Sequence, residues 1–153
     1  HLFEVDSKES KIKEADWFIP GLSPESVGVD GITVGLSICY DVRFPELYRQ
    51  YSEAGCTVLT IPASFTTPTG TAHWDVLCRA RAIENQSFVI AANQVGVGAG
   101  GVDTYGHSLI IDPWGTCLAV GSDKDEDLLI ATLEFDALVT IRDQLPALKH
   151  RKL

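Results

Sequence analysis

Residues 35–47 read GLSICYDVRFPEL, and the place of one cysteine in them decides how the chain is folded. The run from Ile32 to Ile38 is β-branched and apolar enough for a buried strand. Cys39 follows, then polar and turn-forming residues, with Pro45 placed to open a helix and Gly55 to close it. The thiol therefore sits at the carboxyl end of a strand, just before a helix, which is the edge where open α/β folds bind ligands. On spacing alone the ordinary fate of such a residue is a small buried hydrophobe, because free cysteine is among the most buried residue types.

Working outward, the spacing predicts a helix over about 44–54, a strand TVLTI at 57–61 and a loop PASFTTPTGT at 62–71. A second helix follows over about 72–86, where Trp74, Leu77, Cys78, Ala82 and Ile83 share one face at helical spacing. Strands are expected at SFVIAAN (87–93), HSLIID (107–112), CLAV (117–120) and LLIATLEF (128–135), with PWG as a turn between the second and third of these. Asp136 can cap a last helix, ALVTIRDQL, stopped by Pro146. The first 31 residues, charged and weakly periodic, read as a long loop with short extended pieces. Alternation of β and α followed by consecutive strands means an α/β layered domain with a mixed sheet.

A chain of 153 residues forms one domain and buries roughly 68–70% of its unfolded surface without staples. A net charge of −9 argues against nucleic-acid or anionic-membrane partners, which need basic patches. No apolar run approaches the ~20 residues that span a bilayer. Cys39, Cys56, Cys78 and Cys117 are widely spread and form no C-x-x-C pair, so a metal site is not expected and free thiols in a reducing, cytoplasmic compartment are the simpler account. GVGAGG at 96–101 satisfies G-x-G-x-x-G through Gly96, Gly98 and Gly101, but VDTYGHSLIID after it alternates like a strand. Without a helix N-terminus to hold a pyrophosphate the motif has no mechanism, and the stretch reads as a hairpin-like connection.

Four blocks in order, GLSICYDVRFPEL, PASFTTPTGTAHW, RARAIENQSFVIAANQ and YGHSLIIDPWG, resemble the nitrilase (carbon–nitrogen hydrolase) superfamily, and within it the Nit branch of omega-amidases and deaminated-glutathione amidases. The resemblance runs from His1 to the end. It implies a four-layer α-β-β-α sandwich, of which residues 1–153 are the C-terminal portion of a single domain. It also implies hydrolysis of an amide C–N bond by a cysteine, a glutamate and a lysine, with no metal or organic cofactor, in a homodimer or higher homo-oligomer.

Carried over residue by residue, the resemblance makes Cys39 the nucleophile and the Tyr40 backbone N–H an oxyanion donor. The E-x-x-x-x-x-P-G pattern places a second family glutamate at Glu14, ahead of Pro20 and Gly21, with Glu9 as runner-up. Without the family, Glu14 reads as a solvated loop carboxylate. Arg43, four residues past the cysteine, occupies the place of a substrate-carboxylate ligand, a task that suits a bidentate guanidinium. Its structural alternative is a helix-start ion pair with Asp41 or Glu46. Phe65 and Thr69 match pocket positions, while His73 and Trp74 look like packing and loop-fixing residues. Arg79, Arg81, Glu84 and Asn85 form a polar helix face that reads as structural. In the Nit branch the catalytic lysine precedes a His-Leu-Phe stretch, here His1–Phe3, so the lysine and the general-base glutamate are expected from an upstream N-terminal half.

Two rivals stand beside this reading. A Cys–His hydrolase would pair Cys39 with His73 or His107. A non-catalytic fragment or pseudoenzyme would use the same fold without turnover, and another amidohydrolase of the superfamily, such as an N-carbamoyl amidase, would differ only in substrate.

Overall fold

Asp30 and Gly31 both adopt positive φ, 48° and 82°. They turn strand β3 (Glu25–Val29) back on β4 (Ile32–Leu36) as a tight hairpin. A computed structural model describes residues 1–6, 11–98 and 101–152, and this hairpin forms one edge of its main sheet. Beyond β4 come β5 (Val58–Thr60) and β6 (Phe88–Ala91), both parallel to β4. Strands β9 (Leu109–Ile111) and β10 (Cys117–Val120) close the other edge in antiparallel sense. The mixed α/β sheet expected from the sequence is therefore present, with β3 as an addition inside the region read as a loop. Two small pairs stand apart from it: β1 (Glu4–Asp6) with β2 (Lys11–Lys13), and the hairpin of β7 (Val95–Val97) with β8 (Asp103–Tyr105). Gly96 and Val97 of GVGAGG lie in β7 and the chain runs on into strand β8, whereas residues 99 and 100 lie outside the described residues.

One face of the sheet carries two helices packed side by side. Helix α1 (Pro45–Glu53) opens on Pro45 as expected. The second starts earlier than its periodicity suggests: an α turn at Thr67–Thr69, a π-helical turn at Gly70–Trp74, then regular helix at Asp75–Asn85. We number the whole, 67–85, as α2. Trp74, Cys78 and Ala82 are fully buried beneath it, together with Tyr48, Leu59, Ile61, Val89 and Ile111. Tyr51 lies flat over Gly35, where a Cβ would come within 2.7 Å of its ring, so β4 needs glycine at that point. Ile83 departs from the expected buried face and is half exposed. The polar face also divides: Arg81 and Asn85 are buried, Arg81 donating to the Val42 carbonyl at 2.9 Å and pairing with Glu84.

The opposite face is less covered. Helix α3 (Phe135–Gln144) sets Phe135 and Leu138 against Val58 and Phe88, but Leu36, Leu118 and Val120 remain substantially exposed. Two expectations fail here. Residues 128–134 alternate in burial as a strand would, yet they have no ladder partner among the described residues and do not count as one. Asp136 does not cap α3: the cap position is Glu134, without a side-chain bond, and Asp136 lies in the first turn, where its charge still suits the helix dipole. Leu145 ends α3 and Pro146 starts a short helix α4 (Ala147–His150).

Candidate active site

The three parallel strands end on the same edge, and each hands its chain to a loop facing one pocket of roughly 810 Å³. From the end of β4 comes Cys39, from β5 the segment 61–66, and from β6 Asn93. Glu14, Cys39, Tyr40, Arg43, Phe65 and Thr69 all line this pocket. These six residues, spread in sequence from Glu14 to Thr69, are thus brought together. Glu9 lies outside the described residues.

Cys39 adopts φ +45°, a left-handed conformation that a non-glycine residue holds only when its surroundings impose it, at a cost of about 1–3 kcal/mol. Several bonds impose it. The Cys39 N–H donates to the Pro62 carbonyl at 2.8 Å, and the Ile38 N–H donates to Asp41 Oδ2 at 2.8 Å. Asp41 is itself held by the His1 ring through Oδ1 at 2.8 Å, and His1 stacks on Phe44. The strand is thereby bent into the 3-10 turn Cys39–Arg43, which turns the thiol into the pocket.

Burial pushes the Cys39 thiol up, backbone N–H groups of Ser64 and Tyr40 directed at the sulfur draw it back, Glu14 raises it further and Arg43 lowers it. The larger effect is desolvation, and the compensating donors are two backbone amides. Asn93, buried, holds the segment that presents Ser64: its Oδ1 accepts the Phe65 N–H at 2.9 Å and its Nδ2 donates to the Gly106 carbonyl at 2.6 Å. Sequence reading gave neither Ser64 nor Asn93 a role. An amide donor carries no residue-type signal, but a buried asparagine closing the apolar run SFVIAA at the binding edge was a usable one.

Glu14 is half buried and accepts the Phe3 N–H at 2.7 Å, so the carboxylate is anchored beside the thiol rather than left in solvent. Arg43 forms no ion pair with Asp41 or Glu46. Its guanidinium lies 5.2 Å from the Phe65 ring centroid and 6.0 Å from that of Tyr40, and Nη1 is 3.3 Å from His73 Nδ1. Phe65 packs on Trp74 and forms an apolar wall, whereas the Thr69 hydroxyl is bonded to Thr66 Oγ1 at 2.9 Å. Neither His73 nor His107 lines the pocket: His107 Nδ1 bonds to the Tyr105 carbonyl at 2.8 Å and its ring stacks on Tyr105. The Cys–His pairing has no geometry to support it. Among the described residues no three His, Cys, Asp or Glu side chains converge as metal ligands would, and no helix is long and apolar enough to cross a membrane.

Residues 1–143 match the family described as carbon-nitrogen hydrolase. The deaminated glutathione amidase of Synechocystis sp. is 44% identical over 158 residues, covering 99% of this chain and 56% of that protein. The crystal structure of the C. elegans NitFhit protein superimposes with a TM-score of 0.91 at 39% identity, covering 99% of this chain and 37% of the other. A mutant of the amidase from Nesterenkonia sp. AN1, showing the result of Michael addition of acrylamide at the active site cysteine, has a TM-score of 0.72 at 28% identity, covering 95% and 56%. The chain spans about half the length of the curated relatives it matches.

Proposed function

Because this chain belongs to the carbon–nitrogen hydrolase family, we propose that it carries the nucleophile and the substrate-binding wall of an amidase acting on small carboxylated amides. The observation that supports this most is the coexistence, in one pocket, of a strand-end thiol met by two backbone N–H donors and an arginine with no carboxylate partner among the described residues. Cys39 Sγ attacks the amide carbonyl carbon, forming a C–S bond while the carbonyl π pair moves onto oxygen. The Tyr40 N–H donates to that oxyanion. Collapse breaks the C–N bond, and the nitrogen leaves as ammonia or amine after taking the proton that the thiol gave up. Water then attacks the thioester, releasing the carboxylic acid and restoring the thiol. Arg43 binds the substrate's far carboxylate, with Phe65 and Thr69 shaping the space between.

Among the described residues, Glu14 is the one carboxylate that lines the pocket, its Oε2 accepts the Phe3 N–H, and no lysine lines it. Glu14 is assigned to orienting substrate and the catalytic lysine. The proton-accepting glutamate and the lysine that completes the oxyanion site come from a separate N-terminal portion of the same domain. Residues 1–153 alone are accordingly inactive. The outward face of α1 and α2, where Val76 and Ile83 are exposed, pairs with a second copy about a two-fold axis.

The test combines residues 1–153 with that N-terminal portion and follows ammonia release from a dicarboxylate monoamide, with rapid quenching to look for an acyl adduct on the Cys39 peptide. Both signals should vanish in Cys39→Ala. Arg43→Leu should lose about tenfold more rate on the carboxylated amide than on a neutral one, the worth of one charge-assisted contact. Ammonia release that survives Cys39→Ala would remove the thioester mechanism.

A further inference from the structure

The contact between Arg43 and His73 has a direction that chemistry fixes. A guanidinium has five N–H donors and no acceptor, so at 3.3 Å it is His73 Nδ1 that accepts, and the ring's own proton sits on Nε2. His73 is exposed and its side chain forms no other hydrogen bond or ring contact among the described residues, so packing does not account for its orientation. The backbone does. His73 lies within the π-helical turn Gly70–Trp74, and such a turn inserts one residue and rotates the side chains before it by about 100° relative to an unbroken helix. Both ends of the turn are pinned to the core. Gly70 lies against the Tyr105 ring, where a Cβ would come within 2.3 Å, and Trp74 Nε1 donates to the His107 carbonyl at 2.8 Å.

We infer that His73 is a positioning residue for Arg43, and that the π-helical turn exists to aim it. The inference rests on the reading of Arg43 as the ligand of a substrate carboxylate. The Phe65 and Tyr40 rings bound the guanidinium on their sides, and the His73 bond removes its remaining rotation. One N–H is spent on the imidazole and the others stay free for a two-pronged contact with a carboxylate. Holding a rotamer-rich side chain in place before the ligand arrives raises affinity by the ordering cost avoided, about fivefold.

The experiment compares two Michael acceptors that differ only in charge at the far end, N-acryloylglycine and N-acryloylglycinamide. Each adds to the Cys39 thiolate, and peptide mass spectrometry gives the rate at Cys39 in the whole protein. Their ratio, anionic over neutral, cancels changes in the thiol itself. Arg43→Leu should lower the ratio about tenfold. His73→Leu should lower it about fivefold. His73→Asn, whose Oδ1 can accept where Nδ1 did, should restore most of the parent ratio, which a merely structural role would not do. The double variant should match Arg43→Leu alone. If Arg43→Leu leaves the ratio unchanged, the carboxylate site itself is wrong and the inference goes with it. If Arg43→Leu lowers the ratio but His73→Leu does not, or lowers it further on top of Arg43→Leu, only the role of His73 is overturned.

Discussion

Cys39 and Cys78 belong to the same packed cluster, and both thiols are pushed up by burial, yet their surroundings could hardly differ more. Cys78 is fully buried within α2, where every backbone N–H is already committed to the helix, and Asp75 nearby raises it further. Cys39 sits where a strand has ended and a turn has begun, so amides of Tyr40 and Ser64 remain free to face its sulfur. The difference teaches that a nucleophilic thiol is made less by exposure than by backbone donors left unpaired at the end of a strand. Desolvation without them gives an inert core residue.

The most severe way to break this comparison is to remove each sulfur in turn. In the protein completed by its N-terminal portion, Cys39→Ala should lower amide hydrolysis at least 10³-fold, since the covalent step disappears. Cys78→Ala should leave turnover within a few-fold while destabilising the fold by about 1–3 kcal/mol through a small cavity. Assays at saturating substrate with parallel urea melts check both. A large turnover loss in a well-folded Cys78→Ala protein would mean the two sites are not separate.

A smaller effect tests the donor from Ser64. Ser64→Pro deletes that N–H, and the preceding Ala63 is already in a β-bridge to Asn93, the conformation a following proline prefers. Alkylation of Cys39 by iodoacetamide near pH 8 should slow about tenfold, because one hydrogen bond to a charged sulfur is worth about one pKa unit. Ser64→Ala keeps the amide and should react like the parent. Equal rates in all three proteins would show that the Ser64 amide does not hold the thiolate.

The same contrast explains what could be read in advance. Strand β4, helix α1 and the placement of Cys39 at their junction follow from hydrophobic runs and from Pro45, which are local signals. Glu14, Arg43, Phe65 and Thr69 were legible through family blocks and do meet in one pocket. The hairpin β3–β4 went unread: Asp30-Gly31 is a strong turn signal, but the glutamate and glycine of ESVGV concealed the strand. Other features had no local signature. The π-helical turn that aims His73 depends on Tyr105 packing against Gly70 across the fold, and the Ser64 amide belongs to the backbone of a loop 25 residues from the thiol it serves. Asp136 failed as a cap because α3 begins one residue before it, at Phe135, whose ring is drawn onto Phe88. Tertiary packing shifted the helix start.

The smallest predicted effect concerns alkaline stability, and it separates the two cysteines without any assay of activity. In the unfolded chain a thiol loses its proton near pH 8.5, whereas folded Cys78 keeps its proton far above that because burial disfavours the charge. Above about pH 8.5 the native state therefore binds one more proton at this position than the unfolded state. Stability from Cys78 is fully present below that pH and falls as pH rises, by at most about 1.4 kcal/mol per unit. Cys78→Ala removes the linkage, so its deficit against the parent should shrink by about 1 kcal/mol between pH 8.5 and 9.5. The other raised groups, Tyr48 and Tyr51 among them, are common to both proteins and cancel in the difference. For Cys39→Ala the deficit should shrink less, since the Ser64 and Tyr40 amides and Arg43 oppose the effect of burial there. Urea midpoints at several pH values check this, and identical alkaline behaviour of the two variants would mean that the backbone donors do not offset burial at Cys39.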